Sequence, residues 1–123
     1  MQEIASYMIA ALLLVSASAI LADTQSEIQY LLQYVENSGC EFERNGSVYT
    51  SGEARSHMER KYNYVRSRVA VTEDFIRYAA TESSMSGSKY HVTCDGKRQT
   101  SAEWLNNELA RYRTNNAGAT RLN

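Results

Sequence analysis

The chain has 123 residues, 43% hydrophobic and 22% charged, with a formal net charge of -1. That is the size of one ordinary domain and too short for two, and the composition fits a folded chain rather than a disordered one. Near-neutral charge supplies no bulk attraction to nucleic acid or anionic lipid, so nucleic acid is not expected as a partner.

Residues 4–22, IASYMIAALLLVSASAILA, carry no charge, and the densest apolar part, Met8 to Val15, is followed by Ala17-Ser18-Ala19. A short apolar core before a small-x-small site is the pattern of a secretory signal peptide. Residues 1–19 are therefore expected as signal peptide, 20–113 as the folded domain and 114–123 as a frayed C-terminal tail. No Lys or Arg precedes the apolar run. An uncleaved anchor stays open as the alternative, since about 20 uncharged residues just span a bilayer. Both alternatives export the domain, which sets the expected location as periplasmic or secreted. Membrane contact is expected only if this segment is retained. Residues 1–19 carry Glu3 and no base, so their removal leaves acids and bases in balance.

Asp23 to Asn37 reads as a helix, because Ile28, Leu31, Leu32 and Val35 recur at the spacing of one helical face. Thr24 and Glu27 have the T-x-x-E spacing of a capping box, and Gly39 is a natural left-handed stop. Cys40 to Arg44 alternates as a strand, with Cys40, Phe42 and Arg44 on one side. Asn45-Gly46 then predicts a tight hairpin turn, since both central residues of a type I′ turn need positive φ. Ser47 to Tyr49 returns as the second strand. Thr50 and Glu53 repeat the capping-box spacing and open a helix from Ser51 to about Arg66. Its inward stripe is Ala54, Met58, the stem of Lys61, Tyr62 and Val65.

Thr72 is expected to cap a short helix running to about Thr81, with Phe75, Ile76 and Ala79 buried and Glu73 and Asp74 at its positive end. TESSMSGS, residues 81–88, is a serine-rich loop. Lys89 to Cys94 alternates as a third strand, with Tyr90, Val92 and Cys94 on one face, and Asp95-Gly96 again has turn chemistry. Thr100 and Glu103 open the last helix, Ser101 to Arg113, in which Trp104, Leu105, Leu109 and Tyr112 share a face. Beyond Asn115 no apolar period continues. The expected fold class is α+β: a small single domain, about four helices packed on a short antiparallel sheet that contains the Asn-Gly hairpin.

Cys40 and Cys94 are the two cysteines of the chain. In an oxidising compartment an even pair is most simply a disulfide. Closing a loop of about fifty residues would stabilise the fold by about 4 kcal/mol in the chain-entropy model. Two free buried thiols are the alternative. Neither cysteine belongs to a C-x-x-C arrangement, which argues against redox chemistry or a zinc knuckle.

Glu53, His57 and Lys61 are spaced four apart on one helix edge, acid before base, the favourable order for pairing. As a site, His57 would act as a base oriented by Glu53, with Arg44 and Lys61 holding an anionic ligand. As structure, the same four residues would tie the helix to the hairpin. His91 joined to Glu53 and His57 would give a metal set, but a surface position on its strand is the simpler expectation, so neither metal nor cofactor is expected. Ser83 and Ser84 lack the G-x-S-x-G elbow of a nucleophile and read as turn formers. Tyrosines on the helices, such as Tyr30, Tyr34 and Tyr112, would stack on sugars or peptides or line the rim of the core.

Three segments, CEFERNGSVYTSGEARSHMERKY, VTEDFIRYAATESSMSGSKYHV and the Trp104-Leu105 helix, together resemble the YfeK-like family of small exported bacterial proteins, domain of unknown function 5329. The resemblance runs from about Gln25 to Tyr112. It is carried by Phe42, Arg44-Asn45-Gly46, Tyr49, Glu53-Ala54, His57 and Lys61, then by Phe75-Ile76, Ser83-Ser84, Gly87 and Tyr90. It implies an exported, signal-bearing protein of this architecture and hands over no catalytic residue. Two functions follow as expectations. The first is a non-enzymatic module that binds an envelope protein or a small ligand, or supports the envelope. The second is a small hydrolase or metal-dependent enzyme centred on Glu53 and His57.

Overall fold

The computed structural model describes residues 23–122, and the expected signal segment, residues 1–19, lies outside them. Helix α1 covers 23–37, followed by strands β1 (Glu41–Arg44) and β2 (Ser47–Tyr49). Helix α2 (Ser51–Val65) runs into a 3₁₀ turn at Arg66–Arg68, and the short α3 (Thr72–Ala79) follows. Strands β3 (His91–Cys94) and β4 (Lys97–Thr100) precede α4 (Ser101–Leu122). The class is α+β, with four helices beside a four-stranded antiparallel sheet of order β2-β1-β3-β4.

The sheet is two hairpins of the same design laid side by side. Asn45 and Gly46 have φ of 51° and 79°, and Asp95 and Gly96 have φ of 50° and 78°. These are the two left-handed positions that a type I′ turn demands. The hairpins join along β1 and β3, where Phe42 stands opposite Val92 and Glu41 opposite Thr93. One step further in that register Cys40 meets Cys94, and the two are bonded, with Cα atoms 4.8 Å apart. The disulfide thus closes the end of the seam between the hairpins.

Side-chain alternation divides the sheet. Tyr49, Phe42, Val92 and Gln99 form one cross-strand row. Phe42 and Val92 in that row are buried in the core with Ile28, Leu31, Leu32, Met58, Phe75, Trp104 and Leu105. On the opposite face lie Glu43, Val48, His91 and Arg98, and Arg98 pairs with Glu43 at 2.9 Å. All four expected apolar positions of α1 are buried at 0–1% exposure.

Several local expectations are corrected. Thr24 lies inside α1 rather than at its cap. Glu27 is buried and joined to Arg113, which donates from Nε to Oε2 at 2.8 Å and from Nη2 to Oε1 at 3.0 Å. Thr72 donates to the same carboxylate instead of capping α3. The start of α3 is held by Asp74, whose Oδ2 accepts from Ala70 N at 3.0 Å and Val71 N at 3.2 Å. The segment Lys97–Thr100, read only as following a turn, is strand β4. The third strand begins at His91 rather than Lys89. Helix α4 continues past Arg113 through Leu122, where a tail was expected. No proline interrupts that stretch, and Thr114 Oγ1 donates to Ala110 O at 3.0 Å within it.

Candidate functional site

Helix α2 begins with a complete capping box: Glu53 N donates to Thr50 Oγ1 at 3.2 Å, and Thr50 N donates to Glu53 Oε1 at 3.1 Å. A single residue, the N-cap Thr50, separates β2 from α2, so this box fixes how α2 leaves the first hairpin. Its inner face, carrying Ala54 and Met58, meets the Phe42 side of the sheet. Along the edge of that contact runs an open cleft of about 390 Å³. Phe42, Arg44, Tyr49, His57, Met58 and Tyr90 line it, and the first turn of α2 at Gly52 and Glu53 borders it.

Arg44 follows Phe42 by two residues on β1 and so points to the same side of the sheet, at its edge. Its Nη1 lies 2.7 Å from His57 Nδ1 and 2.8 Å from Nε2. Nη2 donates to Tyr49 Oη at 3.4 Å, and the guanidinium carbon is 5.2 Å from the centre of the Tyr49 ring. Lys61 Nζ donates to Tyr90 Oη at 3.2 Å and to Glu82 O at 2.9 Å. His57 Nε2 is 3.3 Å from Tyr90 Oη. A neutral imidazole has one donor and one acceptor nitrogen. Nδ1 accepts from Arg44 when Nε2 carries the proton, and Nε2 accepts from Arg44 when Nδ1 does.

The electrostatics agree with a neutral ring. Burial, then the charges of Arg44, Lys61 and Arg60, push the His57 imidazole down from its ordinary 6.5 to about 4. Among the described residues neither Arg44 nor Lys61 has a carboxylate partner. Of the two acids at the cleft, Glu43 is bound by Arg98 and Glu53 by Thr50. The Thr50 backbone N–H, followed by its hydroxyl, holds the Glu53 carboxyl below the usual carboxylate value. Arg44 Nε is buried and has no acceptor.

The residues singled out from the sequence thus separate. Arg44, His57 and Lys61 come together, and Tyr49 and Tyr90 join them. Glu53 borders the cleft with its Oε1 engaged by its own N-cap. His91 belongs to the other face of the sheet, so it shares no site with His57. Among the described residues no three His, Cys, Asp or Glu side chains converge as a metal site requires. Ser83 Oγ accepts from Asn45 Nδ2 at 3.3 Å and from the amides of Met85 and Ser86 at 3.4 Å, which is turn chemistry. Ser84 is exposed. In the sequence Tyr49 and Tyr90 read as strand residues and as carriers of the family resemblance, not as partners of this group. Their link to Arg44 and Lys61 comes from the register of β1 with β2 and β3.

Tyr30 and Tyr112 stack at 4.1 Å and Tyr34 meets Trp104 at 4.6 Å, so these rings join α1 to α4 along the rim of the core. Among the described residues no helix is long and apolar enough to cross a membrane. A family model, that of a family of unknown function (DUF5329), matches residues 22–113. No curated protein and no solved structure matches the chain.

Proposed function

On the premise that this chain belongs to the DUF5329 family of unknown function, we propose that it is a non-enzymatic binding module, exported to the periplasm or beyond the cell. Its binding site is the cleft between α2 and the first hairpin. One observation carries this reading: Arg44, a half-buried cation at the cleft, faces a neutral imidazole and the Tyr49 phenol and has no carboxylate partner among the described residues. A guanidinium held in place only by structure is ordinarily matched by an acid. One left unmatched beside an open cavity is a recognition group. The Cys40–Cys94 bond is compatible with export, since disulfides persist in oxidising compartments.

The enzymatic alternative is weaker on the same geometry. A general base takes up a proton, and both ring nitrogens of His57 stand within 2.8 Å of the Arg44 guanidinium, whose charge opposes protonation of the ring. Glu53, its intended orienting acid, is engaged at Thr50. The test is amide NMR of the disulfide-bonded protein with the small-molecule fraction and then the protein fraction of an envelope extract. Shifts centred on Arg44, Tyr49, His57 and Tyr90, diminished in His57→Ala, are expected. Shifts confined to other surfaces overturn the reading, as does an ester- or amide-cleaving activity that His57→Ala abolishes.

A further inference from the structure

We infer that the cleft binds the carboxylate of a small organic acid with an apolar body, seated on Arg44. This rests on the binding-module reading above and names the ligand class. The charge balance of the cavity comes first. From β1 it is faced by Arg44 and Glu43, from β2 by Tyr49, from α2 by Glu53, His57 and Arg60, and ahead of β3 by Tyr90, behind which Lys61 donates to the phenol oxygen. Both acids in that set are already bound elsewhere, Glu43 by Arg98 and Glu53 by Thr50. Two cations, the half-buried Arg44 and the exposed Arg60, are thus left at the cavity, and burying the charge of Arg44 without a counter-ion is costly. An anion entering there recovers part of that cost.

The shape of the donors comes second. Arg44 presents a planar fork of which only Nη1 has a short acceptor, the Nη2 contact to Tyr49 being 3.4 Å long. Such a fork fits a carboxylate with two parallel bonds. The bordering first turn of α2 adds the positive end of a 15-residue helix. The walls come third. Phe42, Ala54 and Met58 are the apolar side of the same cavity, and a free inorganic ion would leave them facing water. A cavity of about 390 Å³ is the size of a small organic molecule.

An arriving anion also offsets the cation charges that, second to burial, keep His57 neutral. The ring therefore gains basicity when the site fills, and binding takes up a fraction of a proton. Affinity then rises as pH falls through the bound-state value of His57, until the carboxylate itself takes up a proton at about pH 4.

The experiment uses benzoate, with benzamide as its neutral counterpart, and inorganic and phenyl phosphate as competing oxyanions, each titrated into the disulfide-bonded protein by NMR. Saturable benzoate binding with shifts at Arg44, Tyr49 and His57 is expected, together with binding of benzamide about tenfold weaker or less. The His57 ring titration moves up from about 4 on saturation. Arg44→Gln lowers benzoate affinity about tenfold. Equal binding of benzamide and benzoate in the unaltered protein overturns the inference even if Arg44→Gln fails to fold. So does tighter binding of either phosphate, or an unmoved His57 titration. Cleft shifts with an envelope extract but none with benzoate leave the binding module standing and remove the carboxylate. No cleft shifts with either remove both.

Discussion

Arg44 Nη1 stands 2.7 Å from His57 Nδ1 and 2.8 Å from Nε2, so a cation on the inner face of β1 is met by an uncharged ring on α2 and not by an acid. The contact survives only while His57 stays neutral, which gives the fold a pH dependence of known sign. In the unfolded chain the ring titrates near 6.5, and in the folded one near about 4. As pH falls through that window the unfolded state takes up a proton that the folded state refuses, and stability falls with it. Glu27 and Glu73, held low chiefly by hydrogen bonds from Arg113, add stability above their ordinary 4.5 that is lost as pH falls below it. Urea unfolding at a series of pH values should show two limbs. His57→Gln should flatten the upper limb and leave the acid limb in place.

Arg113 is the only described basic group on Glu27, whose side chain is 4% exposed, while Arg113 itself is 42% exposed. Removing the guanidinium strands a buried carboxylate. Arg113→Met should cost about 3 kcal/mol in urea unfolding. Glu73→Gln removes only the exposed arm of the same network and should cost less than about 1 kcal/mol.

Breaking the bond between Cys40 and Cys94 frees a loop with a sequence separation of 54. The paired Cys40→Ser, Cys94→Ser protein should lose about 4 kcal/mol relative to the oxidised form. The matching measurement is the unfolding midpoint with and without reductant, which should fall by the same amount in the unaltered protein and stay fixed in the double variant.

The two hairpin turns share a conformation but not a role. Asn45 Nδ2 donates to Ser83 Oγ at 3.3 Å and Asn45 Oδ1 accepts from Ser86 Oγ at 2.6 Å, which pins the serine-rich loop to the first turn. Asn45→Ala should therefore destabilise by about 1 kcal/mol more than Asp95→Ala. It should also speed amide hydrogen exchange at Gly87 and Ser83, whose N–H groups bond within that loop. Equal costs at the two turns, with unchanged exchange, would show that the side-chain clamp contributes nothing.

What could be read from the sequence was what local chemistry alone decides. The apolar stripe of α1, the Asn45-Gly46 turn and the Thr50–Glu53 cap each depend on residues within a few positions, and each stands as expected. Strand β4 was not legible, because Lys97-Arg98-Gln99-Thr100 has little strand character of its own and owes its conformation to pairing with β3. Glu27 was misread for a related reason. Its spacing from Thr24 imitates a cap, while its actual partners, Thr72 and Arg113, arrive from α3 and α4. At the cleft, i,i+4 spacing tied Glu53 to His57, but a Glu at the third helical position is drawn to its own N-cap. The partner of His57 is set instead by strand register, which a helix pattern does not reveal.

The covalent link at the seam also decides how the molecule responds to a protease. Met85, 99% exposed at the tip of the serine-rich loop, lies between Cys40 and Cys94 in the chain. A single cut there leaves both fragments tethered through sulfur. The nicked protein migrates as one band until a reducing agent is added, and only then separates into two.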